Sequence, residues 1–356
     1  MASKQIEIVN IPGFPEFTPR EDLIMHDIGS KICNIYKMYG FGPLDTRVVE
    51  ERSILEQKGI EGKELFSVGN ISDGQDVESR RDLVLRFDLT VPLARYVAQN
   101  KYDLQFPYKR FAVGKVYRAE TAKDAKGRFN EFYQYDIDVI GRDTLDLNYD
   151  SEFPAIIYQI FKDVIGIKNF IIRINNRQLL EGLFMENGIT DIKKIKKAVK
   201  VIDNIEKVDE SVTITNLQTI GITLENAINI LELFRKVYDM IPTDAVTYLK
   251  SCEFKNSKLK LGIQELETVV NGVMANGVNS DNFRVDIRIA RGLDYYTGTG
   301  TSQAWRFTPP CGSIRKKASG SIGLKKIGMP GSAAALATAE AHSASERVKG
   351  VRSYCI

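Results

Sequence analysis

Three short segments of the chain concentrate the side chains that could carry out chemistry. They lie at residues 86–90, 110–138 and 291–298 and bring together arginine, aspartate, glutamine and tyrosine. The chain has no GxxxxGKS or GxxxxGKT loop, and no GxGxxG opens a helix after the early strands, so two common backbone cradles for nucleotide phosphates are missing. If a nucleotide binds, side chains must hold its phosphates, and arginine suits bidentate phosphate contacts. The candidates are Arg118, Arg128 and Arg291.

Other kinds of site are poorly supported. The only histidines are His26 and His342, which disfavours multi-histidine metal centres and histidine-dependent nucleophilic catalysis. The four cysteines have no CxxC spacing and indicate reduced structural thiols rather than a zinc site or a disulfide framework: Cys33, Cys252, Cys311 and Cys355. We therefore assign no metal site.

Length and composition predict an ordinary globular protein. The 356 residues correspond to two or three folded units. Apolar residues make up 43% and charged residues 27%, which excludes disordered, collagenous and disulfide-scaffold chains. The sequence has no uncharged apolar run of about 18 residues and no signal-peptide pattern at its start, so we expect a cytoplasmic protein without a membrane partner.

Local patterns indicate the elements that must position the three segments. Thr18 to Glu21 reads as a capping box that starts a helix running to about Gly40. Residues 83–88 read as a strand, and Thr90 reads as the cap of a helix that extends to about residue 100.

Residues 108–119 and 129–140 predict an antiparallel hairpin with a long loop. In its second strand one face is apolar, and the other carries Phe132, Gln134, Asp136 and Asp138. This polar face could line a cavity. The alternation alone slightly favours a solvated outer face, because antiparallel sheets commonly have one wet side.

The rest of the chain divides by pattern and charge. Residues 150–166 read as a helix, 169–175 as a strand and 177–187 as a helix; a mostly helical stretch covers 188–282, and a strand returns at 283–289. Residues 300–356 carry nine Lys or Arg against two Glu and lack Asp and Asn, which gives them a net charge of +7 against +3 for the whole chain. We interpret them as a solvated, poorly packed tail, with weak nonspecific RNA binding as the alternative.

Three motifs together resemble one enzyme family. They are Leu85-Arg86-Phe87-Asp88-Leu89-Thr90-Val91-Pro92, then Tyr117-Arg118-Ala119-Glu120 with Gly127-Arg128-Phe129-Asn130-Glu131-Phe132-Tyr133-Gln134, and finally Arg291-Gly292-Leu293-Asp294-Tyr295-Tyr296. Over about residues 10–299 the chain resembles histidyl-tRNA synthetase, a class II aminoacyl-tRNA synthetase. The third motif is similar to that family's own histidine-specific signature.

The resemblance implies an α+β fold with a mostly antiparallel sheet flanked by helices and an all-α insertion. It implies domains at 1–187 (first part of the catalytic core), 188–282 (helical insertion), 283–299 (returning strand and histidine motif) and 300–356 (atypical tail without an anticodon-binding domain). It also implies an aminoacyl-tRNA ligase that activates L-histidine with ATP, forms histidyl-adenylate and transfers the histidyl group to tRNA(His). Mg²⁺ is expected with ATP, and a homodimer is the usual assembly.

The resemblance also implies residue roles. Arg118 and Arg291 would flank the α-phosphate as the catalytic pair and also contact histidine. ATP would be bound by Arg118, Glu120 near the adenine amino group, Arg128 toward the outer phosphates and Phe132 stacked on adenine. The remaining histidine-binding residues would be Asp88, Leu89 and Thr90 at the amino group and backbone, and Gln134, Asp138, Tyr295 and Tyr296 at the rest of the substrate.

Two departures from the family pattern bear on these expectations. Arg47 stands where the motif 1 proline is expected, which weakens the homodimer prediction. Motif 3 and its ATP-binding arginine have no clear counterpart after Thr299, and only Lys326 stands in a faintly similar position. We therefore expect weakened activity. A non-catalytic, histidine-binding regulatory subunit of the ATP phosphoribosyltransferase type is the alternative, although such a sensor would not need both phosphate-facing arginines.

Overall fold

The computed structural model describes residues 9–56, 62–69, 82–119, 129–142, 144–167, 169–289, 299–305 and 351–355. Its α-helices are α1 (Pro19–Met38), α2 (Arg52–Glu56), α3 (Thr90–Asn100), α4 (Tyr149–Gln159), α5 (Arg177–Glu186), α6 (Ile192–Asp203), α7 (Glu210–Ile220), α8 (Leu224–Asp239), α9 (Pro242–Ser251) and α10 (Ser257–Ala275). Its strands are β1 (Gly42–Pro43), β2 (Val49–Glu51), β3 (Ser67–Val68), β4 (Leu83–Leu85), β5 (Tyr108–Tyr117), β6 (Glu131–Ile140), β7 (Phe170–Asn176), β8 (Phe283–Val285), β9 (Thr299–Trp305) and β10 (Val351–Cys355). Short 3-10 turns occupy Gly62–Glu64 and Ser280–Asn282, and one π-helical turn, Ile160–Val164, continues α4.

The predicted capping box starts α1. Glu21 N–H donates to Thr18 Oγ1, and Thr18 N–H donates to Glu21 Oε2 at 2.8 Å. These reciprocal bonds satisfy donors that a helix start otherwise leaves open. Downstream, α1 buries Ile32 and Ile35 in the main apolar core. The helix is therefore fixed at its start by hydrogen bonds and along its length by apolar contacts.

The strands form three small sheets. The first has the order β1-β5-β6-β10, and its centre is the antiparallel pair of β5 and β6. The second has the order β2-β4-β3 and the third the order β8-β7-β9. The pairings β1–β5 and β7–β8 are parallel, and the others are antiparallel. The hairpin predicted from the alternating pattern is therefore confirmed.

The stretch from α6 to α10 is helical, as its pattern predicted. Helix α10 packs against α5 and α4, and one continuous apolar cluster extends from α1 and the hairpin through β7 to α10. None of the described helices combines the length and the apolar content that crossing a membrane requires. The predicted domain boundaries stay a prediction.

Some element ends differ from the sequence-based expectation. The strand predicted at 83–88 stops at Leu85. The Arg86 N–H still donates to Val48 O, next to β2, but the Arg86 carbonyl accepts from Tyr117 N–H at the end of β5. The strand predicted at 283–289 stops at Val285, where a turn closed by Ile289 N–H and Asp286 O begins.

Thr90 is the first residue of α3 and not its cap, so that prediction is wrong. The capping oxygen belongs instead to Asp88, whose Oδ1 accepts from Val91 N–H at 2.9 Å. Aspartate performs this role well because its short side chain reaches the open backbone donors of a helix start.

Two strands fall partly or wholly in the predicted tail. The backbone of 299–305 pairs with β7, and the backbone of 351–355 pairs with β6. Residues 306–350, including Lys326, lie outside the described residues. The expectation of poor packing for the tail stays a prediction.

Candidate active site

The polar face of the hairpin is buried. Gln134, Asp136 and Asp138 are 3%, 1% and 0% exposed, whereas Tyr133 on the apolar face is 43% exposed. A solvated outer face, one of the two alternatives left by the alternation, is therefore wrong for these three residues. Burying polar groups is costly unless other groups hydrogen-bond to them. The residues that contact this face therefore belong to the candidate site.

Small residues on β5 leave room over the face. Gln134 is paired with Gly114 and Asp136 with Ala112. A Cβ atom on Gly114 would lie 2.3 Å from Arg86 Nη2, so a larger residue would have to displace the end of the Arg86 side chain. Glycine at this position leaves that space to Arg86.

Residues 86–90 cross the hairpin at this point. Leu89 N–H donates to Gln134 Oε1 at 3.2 Å, and Arg86 Nε donates to the carbonyl of Lys115 at 2.9 Å. Because the backbone N–H can only donate, the Gln134 oxygen must face Leu89 and the amide nitrogen remains available as a donor. The segment that follows β4 is therefore held by both strands of the hairpin.

Asp88 lies buried in this crossing segment, next to the buried Thr90. Burial raises the pKa of the Asp88 carboxyl. The Val91 N–H and the positive charges of Arg118 and Arg110 offset part of that rise. A carboxylate in this environment depends on nearby cations and donors. The structure thus brings Asp88, Leu89 and Thr90 together at the start of α3.

Arg118 presents its guanidinium to two aromatic rings. Its Cζ lies 4.4 Å from the Phe87 ring centroid and 5.1 Å from the Phe132 centroid. The Arg118 backbone is held by Asn130, whose side-chain amide donates to the Arg118 carbonyl at 2.7 Å. Phe132 also packs against Leu89, Ala112 and Val116. A cation held between two aromatic rings suits a ligand that has both negative charge and a planar ring.

The sequence reasoning missed Arg110. Arg110 is paired directly with Asp138 in the hairpin, and its Nη2 lies 2.6 Å from Asp138 Oδ2. The same nitrogen donates to Asp136 Oδ2 at 2.9 Å. Burial raises the pKa of Asp136 well above its usual range, and the charge of Asp138 adds to this effect against the opposing effect of Arg110. The strand alternation places Arg110 on the same face as Asp138, but only the register makes them partners.

The structure brings seven of the predicted site residues to this region: Asp88, Leu89, Thr90, Arg118, Phe132, Gln134 and Asp138. Five others lie outside the described residues, and their roles stay predictions: Glu120, Arg128, Arg291, Tyr295 and Tyr296. The chain that leads into the segment at 291–298 is held by Asn175. The side-chain amide of Asn175 donates to the carbonyls of Ile287 and Ile289 at 2.9 Å each. Within the described ranges, no three His, Cys, Asp or Glu side chains converge on a possible metal position.

Comparison with known proteins decides the family. The family model described as histidyl-tRNA synthetase matches residues 13–302. The chain belongs to the histidyl-tRNA synthetase family. A histidine-tRNA ligase of Clostridium tetani is 40% identical over 307 residues, which cover 85% of this chain and 66% of that protein. For a histidine-tRNA ligase of Nostoc sp. the identity is 39% over 302 residues, covering 81% of this chain and 63% of the relative.

Structural comparison agrees with this membership. The crystal structure of histidyl-tRNA synthetase from Nostoc sp. PCC 7120 matches with a TM-score of 0.74 and 36% identity, over 85% of this chain and 66% of that one. The expected class II synthetase fold is confirmed. A structure titled ATP phosphoribosyltransferase regulatory subunit/histidyl-tRNA synthetase, from Bacillus halodurans C, matches with a TM-score of 0.71 but only 18% identity, and it shows the fold alone. The chain spans just under two thirds of the length of the curated relatives above.

Proposed function

We propose that this chain is a histidine-tRNA ligase that uses ATP to activate L-histidine and then transfers the histidyl group to tRNA(His). The single observation that carries the proposal is the Arg118 guanidinium, which lies between the rings of Phe87 and Phe132 and whose charge acts on the buried Asp88. A phosphate-binding cation, an aromatic ring for a base and a carboxylate for an amino group are the three features an aminoacyl-adenylate requires.

In the first step a carboxylate oxygen of histidine attacks the α-phosphorus of ATP. A new P–O bond forms, the bond to the β-phosphate oxygen breaks, and pyrophosphate leaves. Negative charge accumulates around the α-phosphate in this step, so fixed guanidinium groups lower the barrier by electrostatic stabilisation. We assign this task to Arg118 and, from its motif, to Arg291. In the second step a ribose hydroxyl of the tRNA's terminal adenosine attacks the carbonyl carbon and AMP leaves.

The other roles follow the motifs and fit the geometry where residues are described. Asp88 with the 89–90 backbone would bind the amino group, and Gln134 with Asp138 would face the rest of histidine. Phe132 would stack on adenine. For Glu120, Arg128, Tyr295 and Tyr296 the motif alone supports the roles of adenine, outer-phosphate and histidine contacts. Mg²⁺ would arrive on ATP, since it commonly binds through substrate phosphates, waters and one or two carboxylates.

Two surface features support the proposed partners. Helix α6 exposes five lysines, namely Lys193, Lys194, Lys196, Lys197 and Lys200, and such a basic face suits the phosphate backbone of tRNA. The N-terminal segment and α1 expose large apolar side chains, among them Ile11 at 67% and Leu23 at 71%, which suits burial in a homodimer.

A cytoplasmic location follows from the proposed substrates, ATP, histidine and tRNA. For the domain organisation we propose boundaries at residues 187, 282 and 299.

The test is histidine-dependent exchange of pyrophosphate into ATP by the purified chain. We expect exchange with histidine and none with phenylalanine or glutamine. Arg118→Ala should lower the exchange rate about 100- to 1000-fold, by analogy with loss of one donor to a developing oxyanion. Arg235→Ala is the control, because this exposed arginine on α8 pairs only at the surface with Glu210, and it should leave the rate unchanged.

Histidine binding without any exchange would instead support the regulatory-subunit alternative. Equal exchange with another amino acid would contradict the assignment of the substrate.

A further inference from the structure

Arg110 makes contacts that join two separate parts of the candidate active site. Its guanidinium is 1% exposed. Nη2 donates to the carbonyl of Leu89 at 3.1 Å and to Asp136 Oδ2 at 2.9 Å, and it lies 2.6 Å from Asp138 Oδ2. One nitrogen therefore connects the segment that crosses the hairpin with the end of the β6 polar face.

This arrangement is not explained by stability. Transferring a guanidinium and carboxylates out of water opposes folding, and apolar residues of similar volume often serve equally well or better. The opposite face of the same strand is the apolar alternative: Ile137 and Val139 there are fully buried in the main cluster. This buried network therefore serves to hold the groups that it contacts in fixed positions.

We propose that Arg110 is a positioning residue for histidine selection: it fixes the distance between the Leu89 carbonyl, at the amino-group end of the pocket, and the Asp138 carboxylate, at the imidazole end. This inference rests on the proposed function. A pocket that hydrogen-bonds both ends of its substrate discriminates by the spacing between those ends. Arg110 sets that spacing without touching the substrate.

The geometry predicts a selective defect when the guanidinium is lost. Methionine at position 110 fills a similar volume but bonds to neither Leu89 nor Asp138, so the two ends of the pocket are no longer linked. Lysine keeps the charge but lacks the planar fork of arginine, so it should restore only part of the effect. ATP contacts by Arg118 and Phe132 lie at the other end of the hairpin and should be preserved.

The experiment measures pyrophosphate exchange while histidine and ATP are varied separately in the wild type, Arg110→Met and Arg110→Lys. Histidine binding is measured in parallel by calorimetry. We expect Arg110→Met to raise the histidine KM at least about 10-fold, because the groups at the two ends of the pocket are no longer held at the spacing that histidine requires. Arg110→Lys should fall between it and the wild type, and the ATP KM should change less than about 2-fold in each.

Arg173→Met is the matched control. Arg173 is also nearly buried and lies near carboxylates, with its Nη1 3.0 Å from Asp286 and 2.6 Å from Glu206, but it belongs to β7. We expect this variant to lose stability in urea to a similar extent and to keep the histidine KM of the wild type. If Arg110→Met does not fold, Arg110→Lys compared with Arg173→Lys answers the same question.

The outcomes separate this inference from the proposed function. If the wild type exchanges pyrophosphate and the Arg110 variants keep its histidine KM, or shift both KM values together, the positioning role is overturned alone. The same holds if Arg173→Met raises the histidine KM as much. If the wild type neither binds histidine nor catalyses exchange, the proposed function fails and this inference fails with it.

Discussion

The crossing of α5 with α10 and the polar face of the hairpin both depend on glycine, but for different reasons. At the helix crossing, a Cβ on Gly182 would lie 2.4 Å from the backbone nitrogen of Leu259, and one on Gly262 would lie 2.3 Å from that of Leu179. At the hairpin, a Cβ on Gly114 would meet the end of the Arg86 side chain instead. At the helix crossing, glycine allows the two backbones to approach closely. At the hairpin, glycine leaves space for the charged end of the Arg86 side chain.

This difference separates a region built for stability from one built for binding. Leu179 and Leu259 belong to the main apolar cluster, and close approach of two helices buries more of that surface. The hairpin face instead buries Arg110, Asp136 and Asp138, whose desolvation opposes folding. Substitutions at the helix crossing should therefore act on stability alone, and substitutions at the hairpin on stability and substrate binding together.

Gly182→Ala should have the largest effect on stability. The added methyl group meets backbone, which cannot turn aside as a side chain can, so the helices must separate. We expect a loss of about 3 kcal/mol, at the upper end of the cost of overpacking, measured by urea unfolding. Gly42→Ala is the control: its Cβ would meet nothing closer than 3.9 Å, and it should stay within about 0.5 kcal/mol of the wild type.

If Gly182→Ala folds as stably as Gly42→Ala, the helices are free to shift, and the crossing is not the rigid element described above. In every fully folded sample the histidine KM should equal that of the wild type.

Gly114→Ala should have a smaller effect on stability and a clear effect on binding. The group it displaces is the flexible end of Arg86, so we expect a loss of about 1 to 2 kcal/mol. Arg86 also donates to the Thr46 carbonyl at 2.8 Å and holds the segment that carries Asp88. Its displacement should raise the histidine KM several-fold in pyrophosphate exchange. An unchanged KM with the same loss of stability would show that this face is merely structural.

These two regions also show what the sequence could predict. Apolar periodicity predicted the helices, and alternation predicted the hairpin, because both patterns follow from local backbone geometry. The close approach at Gly182 and Gly262 was not predictable, since it depends on how two distant helices cross. The roles of the motif residues from Asp88 to Asp138 came from the resemblance. Alternation alone placed Gln134 and Asp138 on one face and left open whether that face lines a cavity or meets solvent. Arg110 was missed because its significance comes only from the register that pairs it with Asp138.

Asp136→Asn should have the smallest effect, and its pH dependence is the informative part. Burial, reinforced by the charges of Asp138 and Asp88, raises the pKa of Asp136 in the folded protein, whereas Arg110 lowers it. A carboxyl whose folded-state pKa is raised destabilises the fold when it is ionised. This cost is relieved as the pH falls through the raised pKa toward the ordinary value near 3.9. Asparagine has no such charge and can still accept a bond from Arg110, so we expect it to stabilise the folded protein modestly at neutral pH, with part of the gain offset by the weaker attraction to Arg110.

The difference in unfolding free energy between the wild type and Asp136→Asn should shift in favour of the wild type as the pH is lowered from about 8.5 to about 4.5. The same substitution at the exposed Asp281 serves as the control, and its difference from the wild type should vary less over that range. A difference that does not vary with pH at Asp136 would mean that this carboxyl titrates normally. Burying this carboxyl would then cost no electrostatic free energy. The hairpin face would differ from the helix crossing only in its packing.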